Sequence, residues 1–168
     1  MFKYLSLFFV ITIMITIFLF SAQSAQDSGK LSGKIVDIVI KIVLPHYKDL
    51  SYEQQQQIKE KVTLVVRKTA HFTEFAVLGF FLMIHLLSYK PYIKSFNFKM
   101  FIRACISWVI GVLYAFSDEL HQMFVTDRYS SIYDVMIDSS GVLFGVFLLI
   151  LLLPLIFKFN YLNSLSLS

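Results

Sequence analysis

The chain has 168 residues, of which 57% are hydrophobic, and its mean hydropathy is +0.70. A soluble domain of this size could not cover so much apolar surface, so the composition excludes an ordinary soluble protein and favours a single membrane domain over residues 1–168. The net charge of +4 does not indicate nucleic acid binding, because the basic residues are scattered and form no dense patch.

The first apolar run extends from Tyr4 to Phe20 and is followed by small and polar residues from Ser21 to Ala25. The run is long for the hydrophobic part of a cleaved signal peptide and short for a spanning helix. Length alone therefore leaves both interpretations open. We predict a retained first span over residues 4–22.

A long polar segment follows, and its residues from about 30 to 66 are predicted to be helical. Lys34, Asp37 and Lys41 recur at helical spacing among Ile and Val residues, which is typical of a helix at the membrane interface. Pro45 should end that helix. Ser51 and Gln54 form a capping-box pattern, which predicts a second helix that can run directly into the next span.

Three further apolar segments, at about 68–87, 101–124 and 135–157, are long enough to cross about 30 Å of hydrocarbon. Gly141 and Gly145 in the last of them predict the close approach of a neighbouring helix. The single cysteine, Cys105, excludes an intrachain disulfide and a cysteine-rich zinc site, and we expect a buried, inert thiol. The predicted fold is an all-α membrane protein, a bundle of about four transmembrane helices with an amphipathic, helical first extracytoplasmic loop.

The distribution of charge predicts the orientation in the cell membrane. With four spans, both termini and the loop from Ser88 to Met100 share one side, which carries basic residues but no carboxylate. Short loops rich in Lys and Arg stay in the cytoplasm, so both termini are predicted to be cytoplasmic. The first loop is also rich in lysine, which argues in the opposite direction. The basic residues of the predicted cytoplasmic side are Lys3, Lys90, Lys94, Lys99, Arg103 and Lys158.

Chemically reactive side chains cluster at the ends of the predicted spans. In a four-span chain the end of the third span and the starts of the second and fourth lie at one face, together with Ser21 and Gln23. The clusters are Arg67, Lys68, His71 and Glu74; then Asp118, Glu119, His121 and Gln122; and then Arg128, Asp134 and Asp138.

Ionisable groups inside a membrane helix cost about 2.5 to 3.5 kcal/mol each on insertion scales, so they normally face the protein interior and a partner. One interpretation is an ion-paired network in which Lys68 and Arg128 neutralise the carboxylates and hold the helices together. The other is a pocket that binds or transforms a ligand.

These residues resemble the VanZ-like family of membrane proteins, over about Phe20 to Gly145. Thr126 and Asp127 stand where the family often has Pro-Gly before the loop arginine. The resemblance implies an integral membrane protein with a retained first helix, and one founding member is associated with low-level resistance to the glycopeptide teicoplanin. The likeness is carried by residues 20–23, by Ser28 and Ser32, by residues 67–75 with Leu78 and Gly79, by residues 117–124, and by Arg128, Asp134, Val135 and residues 138–141.

The first functional hypothesis is a site at the extracytoplasmic face for an anionic lipid-linked or glycolipid envelope component. Arginine offers a planar fork and lysine a point charge to a phosphate or carboxylate. A histidine beside a carboxylate could act as general acid or base. The candidate catalytic residues are His71, Glu74, Asp118 and His121. The candidate ligand-binding residues are Ser21, Gln23, Arg67, Lys68, Glu119, Gln122, Arg128, Asp134 and Asp138.

Two alternatives stay open. His71 with Glu74, and Asp118 with His121, offer two nitrogen and two oxygen ligands for Zn²⁺ or Mn²⁺ in a metal-dependent membrane hydrolase, although two His–carboxylate hydrogen bonds would show the same spacing. The other alternative is a non-catalytic envelope scaffold whose ion pairs are structural. The sequence identifies no cofactor, no reaction and no oligomeric state; the lipid bilayer is the one partner it requires.

Overall fold

The computed structural model describes residues 1–89, 98–126, 128 and 130–166, without the side chains of 25–31 and 156–166. Within these residues the chain forms α-helices and no strand, which confirms the all-α fold class. The basic residues Lys90 and Lys94 and the side chain of Lys158, which entered the orientation argument, lie outside this description. The helices are α1 (Phe2–Ser21), α2 (Ala25–Val43), α3 (Tyr52–Leu87), α4 (Phe98–Gln122) and α5 (Ile132–Ser166), with a 3₁₀ turn at Tyr47–Asp49 between α2 and α3.

Four of these helices are long and apolar enough to cross a membrane: α1, α3, α4 and the Ile132–Leu155 part of α5. The predicted spans correspond to these helices with shifted ends, since α4 stops at Gln122 and α5 begins at Ile132. Helix α2 is amphipathic, and it packs against α3 while Val36 and Ile40 are buried. The predicted helical first loop therefore contains α2 and the beginning of α3.

The capping box predicted at the start of α3 is confirmed. The Ser51 hydroxyl accepts a hydrogen bond from the Gln54 amide, and the Gln54 side chain accepts one from the Ser51 amide. From this cap α3 continues without interruption for 36 residues. The helix predicted to begin at Ser51 and the second span are thus one continuous helix, which fixes the directions of Arg67, His71 and Glu74 relative to one another.

Glycines bring α3 and α5 into backbone contact, as the small-residue pattern predicted. A Cβ atom added at Gly141 would collide with the Phe72 carbonyl, and one at Gly145 with the Ala76 carbonyl. On the α3 side, a Cβ at Gly79 would meet the backbone of Val142. We call this contact the α3–α5 seam. Because the seam fixes both the distance and the rotation of the two helices, it determines which polar residues of α3 and α5 face each other.

The core of the bundle joins α1, α3, α4 and α5 through buried apolar residues that include Ile17, Phe75, Leu78, Ala115 and Val142. Many large apolar residues on the outer faces are exposed, as expected for a protein surrounded by lipid. The prediction of a buried thiol is wrong, because Cys105 is exposed.

Candidate functional site

The end of α1 meets the end of α4 through a buried hydrogen-bonded group. The Ser21 hydroxyl donates to Asp118 Oδ2 over 2.7 Å, and Gln122 Nε2 donates to the same oxygen over 2.9 Å. Gln122 Nε2 also lies 3.3 Å from Ser21 Oγ. Asp118 is only 2% exposed, so these two donors stabilise a carboxyl group that has almost no contact with solvent. They engage only one of its two oxygens.

The first turns of α5 face the middle of α3. The Lys68 ammonium pairs with Asp134 Oδ1, where both side chains are partly exposed. One turn further along each helix, His71 Nδ1 lies 3.9 Å from Asp138 Oδ2, and Asp138 is only 1% exposed. The polar ends of α1, α3, α4 and α5 therefore meet in one region, as counting the spans predicted.

The loop between α4 and α5 is tied to both neighbouring helix ends. Arg128 Nε donates to the Gln23 carbonyl over 2.9 Å, and Nη2 donates to the Phe20 carbonyl over 3.2 Å. Arg128 thus binds two carbonyls at and just beyond the end of α1, of which the Phe20 carbonyl also accepts the Gln23 amide. Glu119 Oε2 accepts the Ser131 amide over 3.0 Å, which anchors the start of α5 to α4.

Four buried polar atoms in this region have no hydrogen-bond partner among the described residues. A buried polar atom without a partner costs about 1 to 3 kcal/mol, so such atoms are few in folded proteins. Their concentration at one end of the bundle distinguishes this end from the rest of the described chain. The atoms are Glu74 Oε2, Asp118 Oδ1, His121 Nε2 and Asp138 Oδ2.

Two cavities lie at this end of the bundle, one lined by Asp138 and the other by Glu74. The smaller one, the polar cavity, has a volume of about 20 Å³, which is the space of one water molecule or one ion. The larger one, the outer cavity, has a volume of about 260 Å³. Arg67, His71 and Arg128 line both cavities. The polar cavity is completed by Lys68, Glu119, Gln122, Asp134, Ile137 and Asp138. The outer cavity is completed by Phe20, Gln23, Ser32, Ile35, Val66, Ala70 and Glu74.

Arg67 and Arg128 place two like charges beside the same cavities. Burial first, and the positive charge of Arg67 second, lower the pKa of Arg128, although an arginine remains protonated at neutral pH. Within the described part of the chain, Arg67 makes no hydrogen bond or ion pair. Two guanidinium groups that repel each other across a cavity would be stabilised by an anion between them.

An apolar groove of about 660 Å³ adjoins the outer cavity on the side of α1, α2 and α3. The outer cavity and the groove share Ile35, Val66, Ala70 and Glu74, so the two spaces form one cleft with a charged end and an apolar body. The other residues that line the groove are Ile13, Thr16, Ile17, Val39, Val65, Thr69, Thr73 and Val77.

The polar region coincides with the stretches that carried the family resemblance. A family model described as VanZ/LLP1 matches residues 6–155. The chain belongs to the VanZ/LLP1 family. Together with the four apolar helices, this membership makes it a multi-pass membrane protein. No curated protein matches this VanZ/LLP1 chain, and no solved structure matches it.

The structure brings most of the predicted site residues of this VanZ/LLP1 protein to one end of the bundle, but in different roles. Lys68, Glu119, Arg128 and the Ser21–Gln122 pair make structural contacts within the fold. His121 stacks on Phe18 with ring centroids 4.4 Å apart, and it lines none of the cavities described above.

Sequence reasoning did not identify the partner of His71. Spacing within α3 suggested Glu74, whereas the ligand atoms that come within 4.8 Å of one another belong to His71, Asp118 and Asp138. The distinction depends on how α5 is rotated against α3. The glycine pattern indicates this rotation only indirectly: Gly141 contacts α3, and Asp138 lies about one helical turn before Gly141 on the same face of α5.

Proposed function

We propose that this VanZ/LLP1 protein binds, and acts on, an anionic lipid-linked or glycolipid component of the cell envelope. The headgroup would lie in the outer cavity against Arg67 and Arg128, and the hydrocarbon chain would lie in the apolar groove. The observation that supports the proposal is the continuity of a cavity lined by two arginines with an apolar groove. Such a cleft matches the chemistry of an amphiphile with one charged end.

The arginine pair supplies the anion recognition. Arg67 is free of intrachain partners within the described residues, so its planar fork is available for a phosphate or carboxylate. Arg128 keeps its two carbonyl partners and contributes mainly its charge and its remaining N–H groups. Lys68 is already paired with Asp134, which leaves it a smaller part in the recognition.

Proton transfer would fall to His71 and Glu74. Both side chains line the outer cavity, where the headgroup would lie, so an imidazole and a carboxyl group would face the same ligand as general acid and base. Asp118 and Asp138 lie behind His71 and would hold the orientation of its ring.

We propose that both termini are cytoplasmic and that the polar end of the bundle is extracytoplasmic. The positive-inside rule supports this orientation through the basic residues of the opposite side, although α2 and α3 also carry lysines. A reporter enzyme that is active only outside the cytoplasm, fused after Ser168, should stay inactive, whereas the same reporter inserted between Lys48 and Asp49 should be active. The reverse pattern would contradict the orientation.

Family membership also suggests a contribution to resistance against teicoplanin. Expression in a susceptible Gram-positive host should raise the minimum inhibitory concentration of teicoplanin. His71→Ala and Glu74→Ala should abolish the increase at unchanged protein level, while His46→Ala, in an exposed His–Asp pair outside the site, should preserve it. Full resistance in the two site variants would show that teicoplanin resistance does not require the polar site.

Lipid selectivity provides the direct test of the binding proposal. Native mass spectrometry of the full-length protein should show more retained phosphatidylglycerol than phosphatidylcholine with the same acyl chains. Arg67→Gln should remove this preference, whereas Lys61→Gln, which removes an exposed positive charge from the same helix, should not. Ala70→Leu, which fills the groove, should reduce retention of both lipids.

A non-catalytic scaffold is the second candidate, and the structural contacts of Lys68, Glu119 and Arg128 favour it. A scaffold would not distinguish the two lipids, and Arg67→Gln would behave like Lys61→Gln. Equal lipid retention in these two variants would therefore replace the lipid-site proposal with the scaffold.

A further inference from the structure

Three side chains from three different helices converge behind the outer cavity. His71 comes from α3, Asp118 from α4 and Asp138 from α5, and one ligand atom of each lies within 4.8 Å of the others. Metal–nitrogen and metal–oxygen bonds are about 2.0 to 2.2 Å long, so two ligand atoms of a tetrahedral ion are separated by about 3.4 Å. Small side-chain rotations would therefore bring all three atoms onto a single ion.

Both carboxyl groups of this set have a buried oxygen without a hydrogen-bond partner among the described residues, and that of Asp118 is also oriented by two donors. Asp118 Oδ2 is held by Ser21 and Gln122, while Asp118 Oδ1 is buried and has no hydrogen-bond partner among the described residues. Asp138 Oδ2 is unpartnered in the same way, and both residues are at least nine-tenths buried. Asp118, with one oxygen fixed by donors and the other left free, has the arrangement of a carboxylate that binds a metal.

The formal charges of the region point in the same direction. Among the residues that the structure describes, the carboxyl groups of Glu74, Asp118, Glu119, Asp134 and Asp138 lie with three basic residues, Arg67, Lys68 and Arg128, which leaves this set with two negative formal charges in excess. Unpaired charges are costly in a low-dielectric interior. One divalent cation would neutralise the excess, and the polar cavity beside His71 and Asp138 has room for a water molecule as a further ligand.

We propose that His71, Asp118 and Asp138 bind one divalent transition-metal cation of the Zn²⁺ or Mn²⁺ class. One imidazole nitrogen with two carboxylate oxygens suits these ions better than Mg²⁺ or Ca²⁺, which prefer oxygen ligands alone. In this set Asp138 takes the place of the Glu74 and His121 ligands that sequence spacing suggested. The inference goes beyond the proposed function, since the cation would bind whether or not a lipid occupies the cleft. With the cation bound, His71 is a ligand and the proton-transfer role proposed above falls to Glu74, which lines the outer cavity.

Metal content of the full-length protein tests the proposal. The protein would carry a tag without histidine, in a Cys105→Ser background that removes the thiol, and would be purified in detergent without chelator. Elemental analysis should find close to one equivalent of zinc or manganese per chain. His71→Gln, Asp118→Asn and Asp138→Asn should each weaken Zn²⁺ or Mn²⁺ binding at least about tenfold. His46→Gln, in the exposed His46–Asp49 pair, should bind like the parent protein.

Two further measurements keep the test valid if a ligand variant folds poorly. Co²⁺ added to the metal-free parent protein should give visible d–d absorption, and Gln122→Ala, which only loosens Asp118, should weaken Co²⁺ binding by about tenfold or more. Zn²⁺ should also raise the melting temperature of the parent protein by several degrees but leave that of Asp138→Asn unchanged.

Protons on two of the carboxyl groups could neutralise the same excess charge without a metal. The parent protein would then contain no stoichiometric metal, would give no Co²⁺ spectrum, and would not be stabilised by Zn²⁺. These results would overturn the cation site. They would not affect the lipid proposal, which is tested by a different measurement, the effect of Arg67→Gln on the preference for phosphatidylglycerol.

Discussion

The two sides of α3 are built in opposite ways. On the side of α5, the seam at Gly79, Gly141 and Gly145 brings the two backbones into contact and leaves no space for a side chain. On the side of α1 and α2, the same helix borders an open apolar groove of about 660 Å³. Glu74 lines this groove and His71 faces Asp138 of α5, so the seam can fix the position of the site while the groove keeps it accessible to a ligand.

The contrast shows how a single helix can combine rigidity with access. Phe72 and Ala76 carry the backbone contacts of the seam, and Thr69, Thr73 and Val77 line the groove. These sets are offset by one residue, which is about 100° around a helix. The close-packed seam fixes the position of α5 relative to α3. The groove is not filled by side chains of the described residues, so lipid can occupy it.

The largest expected effect comes from filling the seam. Gly145→Leu should destabilise the protein by about 3 kcal/mol, since the new side chain collides with the backbone of α3 rather than with a flexible side chain. Thermal unfolding in detergent would measure the change. Gly33→Ala in α2 is the matched control, because a Cβ there meets no atom within 4 Å. Equal melting temperatures for the two variants would show that the seam is not close-packed.

A smaller effect is expected where α1 closes the site. Ser21→Ala removes a hydrogen bond to the buried carboxyl group of Asp118 and should cost about 1.5 to 3 kcal/mol. Ser117→Ala serves as the control, because that hydroxyl is exposed and bonds within its own helix to the Tyr114 carbonyl. A Ser21→Ala protein no less stable than Ser117→Ala would mean that α1 does not hold Asp118.

The smallest effect on stability is expected at the rim. Lys68→Met breaks a partly exposed ion pair with Asp134 and should cost about 1 kcal/mol or less. It should also leave the preference for phosphatidylglycerol intact, in contrast to Arg67→Gln. Loss of lipid preference in Lys68→Met, measured by native mass spectrometry, would assign anion recognition to the lysine instead.

Local sequence signals predicted the fold well. The capping box at Ser51 and the glycine pair at Gly141 and Gly145 each depend on a few neighbouring residues, and the structure has both. Counting spans was enough to predict that the polar ends would meet. The prediction that Cys105 is buried was wrong, because apolar neighbours in the sequence do not show whether a side chain faces the protein or the lipid.

The sequence could not predict which side chains of the site contact each other. Whether Asp138 faces His71 depends on the rotation of α5 about its axis. Whether the Arg128 guanidinium donates to the Gln23 carbonyl depends on a donor–acceptor distance of about 3 Å, which the sequence does not give. Composition and spacing identified polar residues that the structure brings to one end of the bundle. They could not separate those that hold the fold together from those left without partners.

The central claim is that residues distant in the sequence meet at one end of the bundle, and cross-linking tests it most directly. Lys68→Cys and Asp134→Cys would be combined in a Cys105→Ser background and treated in membranes with a short bifunctional thiol reagent. Because these positions form an ion pair 66 residues apart in sequence, an intramolecular cross-link should form rapidly. A control pair with Lys68→Cys and Arg103→Cys, near the opposite end of α4, should not react. The account would be contradicted by the reverse result, in which residue 68 is linked to residue 103 and not to residue 134.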